Sequence, residues 1–456
     1  MSATRFQISD FGFRIEPPAL AAVRESEAPA EPRRAKPPPA LAGKWRRRAK
    51  EPPALAGVCC RLLVVLAVLV FPTLARAQQP AKASQAATKT PPSPAASQPA
   101  ADLGMPYVYT DWEQFTVKHG LPNDHIFAVR AVKDRVWIGT ENGLACLDKK
   151  TRKIQSWNKE QGLPWRVITG LEVDPRTGDL WIALFGGGLA RFSGGRFDHW
   201  HQLNSGLVNN VVYAVCVQGD NVWASTTAGA SRFNTKTGEW TIFTEKNAPM
   251  EEIWNYENCC TADKVFLAVW GSGVLEYDVA ADKWKAYLDP DGEMEIDLYR
   301  DDGIIHVITT GVSYVEKAMW VSTYFGVCRY DGRHWRGFFD IDSGLPSTFN
   351  NNLAGRSANE CWFCTDKGLG VCADFPTNTW VTYTMDHKAG RGRAVVKRDA
   401  TVVAEVEMPS NLPHNYVLCA DIDGDDAWVG TSKGLAHAIG KGYYPGLRKQ
   451  AAETKK

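Results

Sequence analysis

The sequence lacks the signatures of several common enzyme classes. It has no G-x-S-x-G, no H-E-x-x-H and no Walker phosphate loop. These absences argue against a nucleophile elbow, a zincin helix and a P-loop, each of which needs its residues at fixed spacing. No C-x-x-C-H occurs, which argues against covalent haem attachment. Long apolar runs are missing apart from residues 62–74, "LLVVLAVLVFPTL". As a helix that run spans about 20 Å, short of a bilayer core of about 30 Å. An excess of one charge is missing too, with 52 Lys+Arg against 51 Asp+Glu. The balance hides an asymmetry. Residues 1–77 hold 13 basic and 6 acidic side chains, so the remainder has 39 and 45, a net of −6. A mildly acidic body suits nucleic-acid backbones poorly, and no nucleic-acid partner is expected.

The apolar run does fit a secretory signal. Arg46, Arg47, Arg48, Lys50 and Arg61 precede it, and Ala75-Arg76-Ala77 follows with the A-x-A form of a cleavage site. Cleavage predicts a periplasmic or secreted protein. An uncleaved segment would anchor it to a membrane, the alternative reading. Residues 1–57 are rich in Pro, Ala and Arg and repeat "PPALA". They read either as a disordered leader or as an extension upstream of a start near Val58. Residues 78–103 read as a Pro/Ala/Ser linker, and 447–456 as a charged tail.

What is abundant is tryptophan, 17 residues, 13 of which fall in two interleaved series. "VWIGTENGLACLD" at 136–148 returns as "AWVGTSKGLAHAI", and variants of the phrase occur seven times. Its anchors are Trp137, Trp181, Trp223, Phe266, Trp320, Trp362 and Trp428. The second series is Trp112, Trp157, Trp200, Trp240, Trp284, Trp335 and Trp380. A period near 42 with four short strands and Gly/Asn/Asp turns per unit predicts an all-β, seven-bladed β-propeller over 104–446. Four-stranded antiparallel blades would stack radially, with the aromatics packed between them. The last unit has three convincing strands, and "DWEQF" around Trp112 reads as the N-terminal strand that completes it.

At "VWIGTENGL", "GLPNDHI", "GLPWRVI", "LWIALFGGGLARF", "VCRYDG" and "GLPSTF" the chain resembles the two-component regulator propeller repeat family. The resemblance implies the propeller fold and an extracytoplasmic recognition module, often the sensor of a membrane histidine kinase reading carbohydrate signals. No kinase half and no later membrane span accompany it here. The Asp-box repeat of sialidase propellers is absent.

Antiparallel order places each blade's Gly-Leu-Pro link and its post-anchor turn on one rim, where propeller pockets form. Candidate ligand-binding residues there are Phe185, Trp270, Tyr324 and Phe325 from the turns, and Trp165, Arg166, His125, Asn350, Lys367 and His414 from links and turns. Exposed rings beside amides and charges suit an oligosaccharide or a protein partner. The glycines beside Phe185 and Trp270 suggest exposure of those rings. The chain reads as a binding module, not an enzyme. A lyase or hydrolase using His125 or His414 with a carboxylate is one alternative. A pure protein-interaction scaffold is the other. The sequence sets no oligomeric state.

Two insertions fall on this rim. Residues 286–302 are acidic, and 385–410 begin basic and alternate like a hairpin standing above the ring. Their opposite charges would let the two clasp each other or divide a cleft. No cofactor is expected. Calcium is the one candidate, because "DPDGEMEID" alternates Asp289, Asp291, Glu293 and Glu295 without the full twelve-residue pattern. Asp421, Asp423, Asp425 and Asp426 are assigned to a hairpin. His199 and His201 have metal-like spacing but lie on an outer strand. Nine cysteines follow the signal, an odd number, and their spacing does not read as a disulfide framework.

Overall fold

The computed structural model describes residues 108–289 and 303–440. The leader, signal segment, linker and tail lie outside the described residues, as do Asp291, Glu293 and Glu295. Seven antiparallel sheets are present, and every anchor occupies the second strand of its sheet. Blade 1 runs Ile126–Val132, Arg135–Thr140, Gly143–Asp148 and Ile154–Trp157. Blades 2 to 5 repeat that order from inner strands Ile168–Val173, Val212–Gln218, Asn255–Cys260 and Thr309–Val315. Blade 7 contains Val417–Asp423, Asp426–Thr431 and Gly434–Ala438. Its fourth strand is Trp112–Phe115, paired so that Trp112 faces Ala438. The second tryptophan series occupies the fourth strand of each blade.

The core lies between blades. Trp181, Trp223, Trp320, Trp362 and Trp428 are almost completely buried. Trp137, for example, packs with Leu171 and Ile182 of blade 2. Burying such a ring removes a large apolar area from water, so the wedges carry much of the stability.

The recurrent phrase has a local cause. The Thr140 hydroxyl donates to the Gly143 carbonyl at 2.8 Å and accepts from Asn142 N–H at 3.1 Å. Thr226, Thr323, Thr365 and Thr431 make the same carbonyl bond. The glycine is required because Gly143 has φ +138° and an added Cβ would lie 2.8 Å from the Trp157 carbonyl.

Blade 6 differs from the expectation. Arg391–Arg398 and Thr401–Met408 extend its sheet to six strands and do not stand above the ring. The hairpin pairs along the whole of Thr379–Asp386, from Thr379↔Arg398 to Asp386↔Arg391. Ala394 and Val396 bury its apolar face in the same cluster as Trp112. Two of its arginines pair within the hairpin, Arg391 with Glu407 at 3.2 Å and Arg393 with Glu405 at 2.6 Å. Cys216 and Cys260 form a disulfide between the inner strands of blades 3 and 4. Sequence spacing did not signal it, because propeller stacking creates the proximity across 44 residues.

Candidate functional site

Turns and links meet on one face. The backbone N–H of Phe185, Trp270 and Tyr324 donates to the carbonyl just before its own inner strand, from Val167, Trp254 and Ile308. The N–H of Gly143, Gly188, Gly273 and Gly326 donates to the link of the following blade. Each inner strand then carries a register shift at its second residue, as between Val212 and Ala214 or Asn255 and Glu257. A bulge re-aims the extra side chain. In blades 3 and 4 that residue is Tyr213 and Tyr256.

The result is a continuous aromatic band. Phe185 meets Tyr213 edge-on at 5.4 Å. Tyr213 lies 4.9 Å from Tyr256 and 6.1 Å from Trp254. Trp254 and Tyr256 each stack on Trp270 at 5.7 Å. Trp270 meets Tyr324 edge-on at 5.1 Å, and Tyr324 stacks on Phe349 at 4.4 Å. Three expected residues, Phe185, Trp270 and Tyr324, are therefore brought together. Tyr213, Trp254, Tyr256 and Phe349 were not anticipated. Trp254 and Phe349 had a signal, the position just before an inner strand, whereas Tyr213 and Tyr256 reach the band only through the bulge. Burial pushes the Tyr213, Tyr256 and Tyr324 hydroxyls up, so all three stay protonated at neutral pH.

Trp165 lies over the blade 2 turn and donates its indole N–H to the Phe185 carbonyl at 2.6 Å. It remains 44% exposed. Gly187 is needed for that approach, since a Cβ there would lie 2.4 Å from Trp165 Cβ. The glycines beside Phe185 thus make room for an indole and are not a sign of a loose frame. Arg166 is exposed in the same link. Phe325 packs instead on the buried His306 at 4.3 Å, on the wall of blade 5.

The other side of the mouth is polar. Lys367 is exposed on the blade 6 turn. His125 stacks on Phe127 at 4.5 Å and lies 3.7 Å from Glu141. Burial lowers its pKa, and Glu141 partly opposes this. His414 holds its link in place. Its Nδ1 accepts the Tyr416 N–H at 3.0 Å and the Ser432 hydroxyl at 2.8 Å. The same position holds Asn123, Asn209, His306 and Ser347, each accepting the N–H two residues on. Burial, Lys433 and His387 lower the His414 pKa. Asn350 must be withdrawn as a ligand contact. It is fully buried and donates to the carbonyls of Thr323, Gly326 and Thr348.

The channel beneath holds a cavity of about 210 Å³. Arg130 bridges Glu172 at 2.8 Å and Asp421 at 3.3 Å. Glu257 accepts from Asn352 at 2.8 Å. Burial raises the pKa of Glu172, Asp421 and Glu257. Asp421 lies on the first strand of the expected hairpin, paired across to Trp428, and its side chain faces the channel. Elsewhere, His199 Nε2 is taken up by the Gly187 carbonyl at 2.6 Å. Among the described residues, no three His, Cys, Asp or Glu side chains are grouped to hold a metal ion.

Solved structures share this architecture. The extracellular domain described as that of the hybrid two-component system BT4673 from B. thetaiotaomicron matches with TM-score 0.54 and 14% identity, over 72% of this chain and 40% of that one. The corresponding domain of BT3049 from the same organism gives 0.52 and 14%, over 73% and 42%. The chain has their propeller fold. It spans about two fifths of their length. The RRP9 WD40 repeats match with TM-score 0.50 at 6% identity, over 73% of this chain and 98% of that one, so the likeness reports fold alone. No family model and no curated protein matches the chain.

Proposed function

We propose that this chain is an extracytoplasmic recognition module that binds an oligosaccharide across the aromatic band at the channel mouth. One observation carries the reading: seven rings from five consecutive blades form one band on the loop-rich face. Packing alone does not account for it, because Trp254 keeps 37% exposure within the band. Pyranose C–H faces stack on such rings, and neutral phenols bond to hydroxyls. The extracellular domains of two-component systems that share the fold, together with the signal-like segment, support the location. Coupling to a signalling partner would follow the same analogy.

A thermal-shift and glycan-array screen of the mature chain tests the reading. A saturable oligosaccharide hit that weakens about tenfold in Trp254→Ala supports it, the loss expected for one stacked ring. A hit unaffected by Trp254→Ala and Trp270→Ala would refute the mouth as the site. A folded protein that captures no glycan but retains a protein partner would favour the scaffold reading.

A further inference from the structure

The repeats provide an internal standard, and blade 1 departs from it. In four blades the third-strand residue paired with the anchor covers the anchor's ring; blade 4 pairs Phe266 with Glu276, and in blade 6 Trp362 pairs with Val371 and is covered instead by Arg356 at 5.7 Å. Trp181 pairs with Arg191, Trp223 with Arg232 and Trp320 with Arg329. The guanidinium carbons lie 5.7, 5.6 and 5.5 Å from the indole centroids. Blade 7 uses His437, stacked on Trp428 at 3.8 Å. In blade 1 Trp137 pairs with Cys146, too short to cover it. A cavity of about 670 Å³ opens there, between Trp137 and Trp157 of blade 1 and Phe192 of blade 2. That size falls within the range of small-molecule sites, about 300–1,000 Å³.

The flanking charges change together with the missing arginine. In blade 2, Arg191 is paired with Asp198 at 2.5 Å and Asp179 at 3.7 Å. The equivalent of Asp179, two residues before the anchor, is Arg135 in blade 1. The equivalent of Asp198, across from the third strand, is Gln155. Lys153 adds a second cation to the lining. Among the described residues neither Arg135 nor Lys153 forms an ion pair. The one acid lining the cavity, Asp148, already accepts from Lys150 N–H and from the Thr151 N–H and hydroxyl.

We infer that this sidewall cavity binds a six-membered ring carrying one carboxylate. The ring would lie against Trp157 and Phe192 in the place an arginine fills elsewhere, with the carboxylate between Arg135 and Lys153. A cationic ligand would meet two unpaired positive charges. A neutral one would leave both without a partner. The site is separate from the channel mouth and does not depend on what binds there.

Ligand-observed NMR on the full mature chain tests this with three probes: methyl glucuronide, 4-hydroxybenzoate and methyl glucoside. The two acids distinguish a sugar source from an aromatic one. At least one acid should bind at millimolar concentration, and the neutral glucoside at least about tenfold more weakly. Cys146→Arg rebuilds the plug of blades 2, 3 and 5 and should abolish binding. Arg135→Ala with Lys153→Ala should weaken it about tenfold or more, whether or not Cys146→Arg folds. Trp254→Ala should leave it unchanged. Failure of both acids to bind, or binding that survives both the plug and the charge removal, would overturn the inference.

Discussion

Replacing Arg130 by Met should destabilise the ring in a pH-dependent way. Arg130 bridges Glu172 and Asp421, at 2.8 and 3.3 Å. At an effective dielectric constant of about 20, each contact is worth roughly 5 kcal/mol of Coulomb energy. Losing it leaves two carboxylates facing each other at the channel wall. The full sum will not appear. Arg130 keeps 35% side-chain exposure to channel water, and a carboxyl without its partner can take up a proton. The net cost at pH 7.5 should be about 2–4 kcal/mol, near or just below that of breaking a buried pair. The sign of the pH effect follows from linkage. Glu172 and Asp421 already titrate above the ordinary carboxylate range, chiefly through burial, with Arg130 opposing the rise. Removing Arg130 raises them further. A carboxyl whose folded pKa exceeds its unfolded value adds stability below the unfolded value and loses it as pH rises through the folded one. The penalty should therefore shrink towards pH 4, near the ordinary carboxylate pKa of about 4, and be largest above neutrality. Urea denaturation of wild type and Arg130→Met from pH 4 to 8 measures it. A pH-independent difference, or one that grows on acidification, would refute the reasoning.

Other consequences are as direct. Gly188→Ala should cost well over about 1 kcal/mol in urea midpoint, because φ is +88° and the new Cβ would lie 2.3 Å from the Trp200 carbonyl. Gly178→Ala, at φ +78° with open space around it, should cost only about 1 kcal/mol. His414→Asn should keep the stability of wild type, since Asn123 and Asn209 fill the same role, whereas His414→Ala should lose about 0.5–2 kcal/mol by the same assay. Cys216→Ser should lower stability by about 2–4 kcal/mol under oxidising conditions, for a 44-residue separation, and make it insensitive to reductant.

Strand order and blade count were legible because they rest on local rules repeated seven times. Thr140, Gly143 and Trp137 each do in blade 1 what their equivalents do elsewhere, so the pattern stood above local variation. The mouth was half legible. Phe185, Trp270 and Tyr324 follow an anchor and could be placed by counting. Tyr213 and Tyr256 could not, because a strand residue faces the mouth there only through a bulge that the sequence does not mark. Asn350 misled because an amide in a link reads alike whether it faces solvent or binds three buried carbonyls. The Arg130–Asp421 pair spans 291 residues and becomes a contact only when the ring closes. The hairpin of 391–408 was legible as strands, but whether it stands free or extends blade 6 depends on the unpaired edge of Thr379–Asp386, a tertiary fact.

The most direct test of the account is calorimetric titration of the best oligosaccharide from the array into wild type, Trp254→Ala and Cys146→Arg. Recognition at the channel mouth predicts about tenfold weaker binding in Trp254→Ala and unchanged affinity in Cys146→Arg. Unchanged affinity in Trp254→Ala, together with loss in Cys146→Arg, would contradict it and move recognition to the sidewall.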